Sequence, residues 1–249
     1  MAKKELTIVI PTYNEGDIIE SSLRRISRAL GNTCSQTEVI MADDGKDDLP
    51  LVIERLSNSF GFATVRVMRN TIPLGKGEST RTAFNASVGE IVGFIDVDLS
   101  VDPSFIHAAV QKIKDGNDIC IASRIGNRWK SDKSLLTSLT ATIFRSIHRN
   151  LLFGREKSFT DTQCGFKFFK REIALNLFKD LVATDGLTDL EILLKAVQSR
   201  YKISEIKVPR INDREGKRKL SRIFANETLS LCKIFCKYKL GFKIRASSQ

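Results

Sequence analysis

Short apolar runs alternate along this chain with stretches in which apolar residues recur every three to four positions. Leu6–Ile10 reads as a strand. Asp17–Leu30 carries Ile18, Ile19, Leu23, Ile26 and Leu30 at helical spacing. Val39–Ala42 predicts a second strand, Leu49–Phe60 a helix, Thr64–Met68 a strand and Gly77–Val88 a helix. Ile91–Ile95 predicts a strand, Pro103–Lys114 a helix with proline in its first turn, and Asp118–Ala122 another strand. This alternation predicts an α/β fold, a mostly parallel sheet flanked by helices. Such sheets bind ligands outside the carboxyl ends of their strands.

The second half is less regular. Leu135–Phe153 reads as a long helix bearing Arg145 and Arg149. Lys167–Phe169 is a short strand, Leu187–Ser199 a helix, Lys202–Val208 extended, and Pro209–Lys219 a basic loop. Near the end, Leu231, Phe235, Tyr238 and Phe242 fall on one stripe of a helix turning about 100° per residue. Lys233 and Lys237 lie opposite, with Lys239 and Lys243 on the flanks. Such a helix either lies in a membrane interface or packs its stripe onto the body. The expected organisation is a main α/β domain over 1–212 and a basic amphipathic tail over 213–249, a candidate for a membrane surface.

Charge sharpens that division. Of the net +11, Arg200–Gln249 supplies +10, with 14 Lys or Arg against 4 Asp or Glu. A nearly neutral body with a basic tail suits an anionic surface: a membrane, a nucleic acid or an acidic partner. No run approaches the roughly 18 apolar residues of a spanning helix. The apolar run before Pro11 reads as a strand, not an export signal. The five cysteines are odd in number and scattered, which argues against a disulfide framework and for a reducing compartment. Cys232 and Cys236 have neither His107 nor His148 near in sequence, so no zinc site is expected.

Candidate chemistry gathers at strand ends. Asp96-Val97-Asp98 follows Ile91–Ile95. Paired carboxylates at that edge suit a hard divalent cation, and through it phosphates; a solvated turn is the plainer reading. Pro11 reads as the stop of the first strand, with Tyr13 and Glu15 in the following turn. An aromatic face can stack on a base, and a carboxylate can accept ribose or base hydrogens. The second strand ends in Asp43-Asp44-Gly45.

Val9-Ile-Pro-Thr-Tyr-Asn-Glu15, Ala42-Asp-Asp-Gly45, Gly75-Lys-Gly77 and Asp96-Val-Asp-Leu-Ser100 resemble, in order and spacing, the motifs of family 2 glycosyltransferases of the GT-A fold. Asp161-Thr-Gln-Cys-Gly-Phe-Lys167 and Asp189-Leu-Glu191 resemble the polyprenyl-phosphate branch, which includes dolichyl-phosphate glucosyl- and mannosyltransferases. The resemblance implies that Pro11, Tyr13 and Glu15 hold the nucleoside while Asp44 reads the base. Asp96 would sit near the ribose and the diphosphate, and Asp98, with Asp96 beside it, would ligate Mg²⁺ or Mn²⁺. Several relatives carry a further metal-contacting Gln where this chain has Ser100.

In Ser123-Arg124 the resemblance implies an Arg that meets the acceptor phosphate, a task suited to a planar guanidinium. Lys133, with Thr137, stands where relatives place a second Arg; Arg128 competes for that role. Asp189 matches the general base of relatives with hydroxyl acceptors, or here orients the acceptor loop. Helix capping and loop hydrogen bonding are the plainer roles for Asp161, Gln163 and Asp189, and Cys164 reads as a small buried side chain. The implied activity is inverting transfer of a hexose from a nucleotide sugar, UDP-glucose before GDP-mannose, to a polyprenyl or dolichyl phosphate. The alternatives are transfer to a glycan hydroxyl and a non-catalytic nucleotide- or nucleic-acid-binding module. No nucleic-acid motif appears, so nucleic acid is not an expected partner. The expected location is cytoplasmic, peripheral to an anionic membrane face, with a membrane protein as a further candidate partner.

Overall fold

The structure is a computed structural model that describes residues 4–125, 161–183, 186–209, 211 and 220–240. Among the described residues seven strands form one sheet: β1 (Leu6–Thr12), β2 (Thr37–Asp43), β3 (Thr64–Arg69), β4 (Ile91–Ile95), β5 (Ile119–Ile125), β6 (Phe166–Lys170) and β7 (Ile203–Pro209). Their order is β3-β2-β1-β4-β6-β5-β7. The β3-β2-β1-β4 half is parallel, as the alternation predicts. β6 runs antiparallel to both β4 and β5, and β7 returns parallel to β5.

Helices cover both faces: α1 (Gly16–Leu30), α2 (Leu49–Leu56), α3 (Lys76–Asn85), α4 (Phe105–Lys114), α5 (Arg171–Phe178), α6 (Thr188–Gln198) and α7 (Leu220–Lys239). Burial on both faces explains the unbroken apolar runs of β2 and β4. Alternation along a strand splits the core in two. Ile8, Ile10, Phe166 and Phe168 face one layer; Val9, Phe94 and Phe169 face the other with Phe84 and Phe178. A Cβ at Gly93 would stand 2.5 Å from the Phe168 ring, so the β4–β6 contact needs glycine there.

Several boundaries differ from the sequence reading. Pro11 does not end β1; it pairs with Ala42 inside the strand. The ladder to β4 has already ended at Val9, so on that side a residue without an N–H breaks no pairing. α2 stops at Leu56, where Ser57 Oγ donates to the Glu54 carbonyl and offers the backbone an alternative to helix. α3 ends at Asn85, with Ser87 Oγ bonded to the Phe84 carbonyl.

On α7 the stripe faces the body. Leu231, Phe235 and Tyr238 pack on the second core, and Ile234 is fully buried beside them. Lys237, expected on the solvent side, instead reaches the Asp180 carbonyl and lies 3.7 Å from Glu191 Oε1. The buried Glu191 carboxylate draws that cation inward. Among the described residues no helix is long and apolar enough to cross a membrane. Arg128, Lys133, the expected helix Leu135–Phe153, Phe242 and Lys243 lie outside the described residues.

Candidate active site

The strand order reverses at β1, which has β2 on one side and β4 on the other. A crevice outside the carboxyl ends of β1 and β4 follows from that reversal, and open α/β sheets bind ligands there. The chain after β1 brings Tyr13 and Glu15 to this edge, and the chain after β4 brings Asp96 and Asp98. Tyr13 is 54% exposed, with its ring free to meet a ligand. Asn14 takes a left-handed φ of 56°, a conformation Asn tolerates. Its Oδ1 accepts the Lys46 amide at 2.7 Å, which ties the β1 and β2 turns together. A Cβ at Gly45 would stand 2.6 Å from the Asn14 nitrogen, so this junction requires glycine. Burial raises the Glu15 carboxyl; the Tyr13 amide opposes the rise, and Asp96 and Asp98 add to it.

The two acids at the end of β2 divide their work. Asp43 accepts Thr12 Oγ1, the Gly45 amide and Arg69 Nε. Asp44 Oδ1 accepts Asn70 Nδ2 at 2.6 Å, Ser79 Oγ at 2.7 Å and the Leu74 amide at 3.3 Å. Its Oδ2 accepts the Gly75 amide at 2.7 Å. Each carboxylate oxygen has about two acceptor positions, so Asp44 mainly anchors the segment from Asn70 to Ser79, while its Oδ2 accepts one hydrogen bond among the described residues.

Asp96 is held from three sides. Its amide donates to the Gly165 carbonyl at 2.8 Å, and its Oδ1 accepts Lys76 Nζ at 2.9 Å. A Cβ at Gly165 would fall 1.8 Å from Asp96 Oδ2, so the carboxylate occupies room that only glycine leaves. Leu99 follows with φ 51°, a conformation that costs a non-glycine residue about 1–3 kcal/mol. Asp98 Oδ1 accepts the Ser100 amide at 3.2 Å. Burial, then the neighbouring Asp96 charge, raise the Asp98 carboxyl.

Behind this pair lies a charge network that runs from partly exposed to fully buried groups. Lys76 Nζ bridges Asp96 Oδ1 and Asp189 Oδ2, the latter at 3.2 Å. Asp189 Oδ1 accepts Lys167 Nζ at 2.6 Å, and Lys167 also donates to the Cys164 carbonyl at 2.6 Å. Both ammonium groups sit over the Phe94 ring, at 5.0 and 5.3 Å. Burial alone would raise the Asp189 carboxyl; Lys167 and Lys76 outweigh it and hold Asp189 below the ordinary aspartate value. Arg124 is itself paired: Nε donates to Asp161 Oδ2 at 2.5 Å and Nη2 to Oδ1 at 3.1 Å. Nη2 also reaches the Gln163 carbonyl at 3.4 Å. Among the described residues no hydrogen bond engages the other guanidinium nitrogen, Nη1. Burial pushes the Cys164 thiol up to about 12, so it stays protonated and is a poor nucleophile.

The donor set fits a hard divalent cation. Asp98 has no cationic partner within ion-pair distance among the described residues, and burial together with the Asp96 charge raises its carboxyl. Among the described residues no group of three His, Cys, Asp or Glu gathers as a ready cage. Two carboxylates with water and phosphate oxygens suit Mg²⁺ or Mn²⁺, which retain such outside ligands. Sequence reasoning gave no role to Lys76 or Lys167, and gave Asp161 only capping or loop hydrogen bonding rather than its pairing with Arg124. A lysine inside the apolar strand Phe-Lys-Phe-Phe was the available cue, because a buried ammonium needs a counter-ion.

The model of glycosyl transferase family 2 matches residues 7–178. Glycosyltransferase AglD of Haloferax volcanii is 28% identical over 211 residues, covering 82% of this chain and 32% of AglD. The dolichyl-phosphate β-glucosyltransferase of Saccharomyces cerevisiae is 30% identical over 224 residues, covering 82% of this chain and 66% of that protein. Its Homo sapiens counterpart is 30% identical over 222 residues, covering 82% and 67%. The chain thus spans about a third of AglD and about two thirds of the two glucosyltransferases. Among solved structures, glucosyl-3-phosphoglycerate synthase from Mycobacterium tuberculosis, in complex with Mn²⁺, UDP and glucosyl-3-phosphoglycerate, matches at TM-score 0.67 and 22% identity, over 95% of this chain and 81% of that one. The mannosyltransferase PcManGT from Pyrobaculum calidifontis, in complex with GDP-Man and Mn²⁺, matches at TM-score 0.63 and 19% identity, over 97% and 65%. These likenesses assign the GT-A fold.

Proposed function

The chain belongs to glycosyl transferase family 2, and we propose that it transfers a hexose from a nucleotide sugar to a polyprenyl phosphate with inversion at the anomeric carbon. The observation that carries this reading is the state of Asp189. By resemblance it matches the general base of relatives with hydroxyl acceptors, but it serves as counter-ion to Lys76 and Lys167, with its proton affinity lowered. A base so paired is poorly placed to deprotonate a hydroxyl. A phosphate acceptor is already an anion and needs positioning instead. An acceptor phosphate oxygen forms the new bond to the sugar's first carbon. The bond from that carbon to the diphosphate breaks, and its electron pair leaves with the nucleoside diphosphate.

In this reading Tyr13 stacks on the base, Pro11 and Glu15 frame the nucleoside, and Asp44 contributes Oδ2 as an acceptor. Asp96 and Asp98 hold the Mg²⁺ or Mn²⁺ that, when bound, neutralises charge on the departing diphosphate. Arg124 presents Nη1 to the acceptor phosphate, with Lys133 as a second cation. UDP-glucose is the favoured donor because relatives at 30% identity are dolichyl-phosphate β-glucosyltransferases; GDP-mannose is second.

The acceptor resides in a bilayer, and the reading extends to a peripheral position on an anionic cytoplasmic membrane face, with a membrane protein as a further anchor. The outward side of α7 and the residue after it support this: Leu229 and Leu240 are 59% and 57% exposed, and Cys232 is exposed. Each basic residue near an anionic surface adds about 1 kcal/mol.

The test incubates the protein with Mn²⁺, a short polyprenyl phosphate and either labelled UDP-glucose or labelled GDP-mannose. Organic-phase label from UDP-glucose is expected, and Arg124→Lys should raise the KM for the acceptor. Label from neither donor overturns the proposal.

A further inference from the structure

Glu191 lies on α6 two residues beyond Asp189 and is fully buried. Both of its oxygens accept the Val182 amide, at 3.0 and 2.9 Å, and Oε2 also accepts the Ala183 amide at 2.8 Å. Oε1 accepts Tyr238 Oη from α7 at 3.0 Å, and Lys237 Nζ lies 3.7 Å from the same oxygen. One buried carboxylate therefore fastens the Val182–Ala183 segment to α7.

That segment presses on the donor side of the site. Thr188 Oγ1 donates to the Ala183 carbonyl at 3.1 Å. A Cβ at Gly77 would stand 2.7 Å from the Thr188 side chain and 3.2 Å from the Ala183 carbonyl. The backbone of α3 at Gly77 is thus packed flush against this pair. The preceding residue is Lys76, whose ammonium grips Asp96 and Asp189. A continuous set of contacts runs from Tyr238 through Glu191, Ala183, Thr188 and Gly77 to Lys76 and Asp96.

We infer that Tyr238 is a positioning residue: its bond to Glu191 sets the Val182–Ala183 segment and, through Gly77, fixes where Lys76 holds Asp96 for the nucleotide sugar. The inference rests on the proposed donor site at Asp96 and Asp98. Asp189 and Glu191 stand about 200° apart around α6, so Tyr238 bonds the side of that helix turned from Asp189. Its hydroxyl is the part that matters, because the ring packs on the core with or without it. Burial and the Glu191 charge raise the Tyr238 hydroxyl above the ordinary tyrosine value, so it stays protonated and donates.

The test compares the full chain with Tyr238→Phe, using Tyr201→Phe as a control for loss of a hydroxyl remote from Glu191. Amide hydrogen exchange and Mn²⁺-dependent UDP affinity are measured for each. The expected result is faster exchange at Val182 and Ala183 and at the start of α3 around Lys76 in Tyr238→Phe, with UDP affinity reduced several-fold and exchange in β1, β2 and β4 unchanged. Faster exchange restricted to α7, or spread evenly over the chain, overturns the inference, and so does unchanged exchange at Lys76. If the native chain binds no UDP, the donor site itself fails, while the exchange pattern still decides whether Tyr238 orders Lys76.

Discussion

Lys167 closes a 2.6 Å ion pair with Asp189 inside the protein, and its side chain has no solvent exposure. An ammonium so placed would be costly without its partner. The pair therefore explains why a strand rich in phenylalanine tolerates a lysine, and why Asp189 is a counter-ion.

Asp189→Asn separates the two roles of this carboxylate. Removing one member of a buried pair destabilises by about 3–5 kcal/mol, readable in urea unfolding. Transfer per folded molecule should stay within about tenfold, because loss of a general base would cost about 10²–10⁴-fold. A rate loss of that larger size with native stability would make Asp189 the base and favour a hydroxyl acceptor.

Gly165→Ala tests whether Asp96 must stand where it does. The added Cβ meets the carboxylate at 1.8 Å and displaces it. Overpacking costs about 1–3 kcal/mol of stability. Affinity for UDP with Mn²⁺ should fall by about tenfold or more, equivalent to about 1.4 kcal/mol. Calorimetric titration that finds native affinity would remove Asp96 from the donor site.

Cation affinity should depend on pH through Asp98. Burial and Asp96 raise its carboxyl above the ordinary 3.8. A protonated carboxyl is not a ligand, so affinity falls as pH falls through the raised value. The loss should begin at higher pH than for an ordinary aspartate. Mn²⁺ titrations followed by electron paramagnetic resonance across a pH series measure this, and Asp98→Asn should abolish most binding at every pH. Affinity that stays flat down to about pH 4, near the ordinary aspartate value, would remove Asp98 as a ligand.

Leu229 and Leu240 bear on the membrane. Replacing both with Ser should weaken sedimentation with anionic vesicles while leaving UDP affinity unchanged, because neither side chain packs on the core. Each fully buried leucine contributes about 1.5–3 kcal/mol, so even partial insertion should be measurable. Native binding by the double variant, or no binding to vesicles by the native chain, removes this face from the account.

Much of the parallel half was legible because β1, β2 and β4 are buried on both faces and read as unbroken apolar runs. Asp96, Asp98, Tyr13 and Glu15 could be placed because strand ends define one edge. The antiparallel direction of β6 was not legible, since a period of two carries no direction. Pro11 misled because proline breaks a strand only where its N–H would be bonded. The end of α2 at Leu56 was missed because Phe60 joins the core from outside the helix. Lys76 and Asp189 meet across 113 residues, a distance no local pattern reports. The α7 stripe was visible in the sequence, but whether it faces lipid or protein depended on Glu191, which lies 47 residues before Tyr238.

The most direct test offers the protein, Mn²⁺ and labelled UDP-glucose a short polyprenyl phosphate in one reaction and the matching polyprenyl alcohol in another. Label should enter the organic phase with the phosphate and stay in the aqueous phase with the alcohol. Label on the alcohol with none on the phosphate contradicts an acceptor that needs no base.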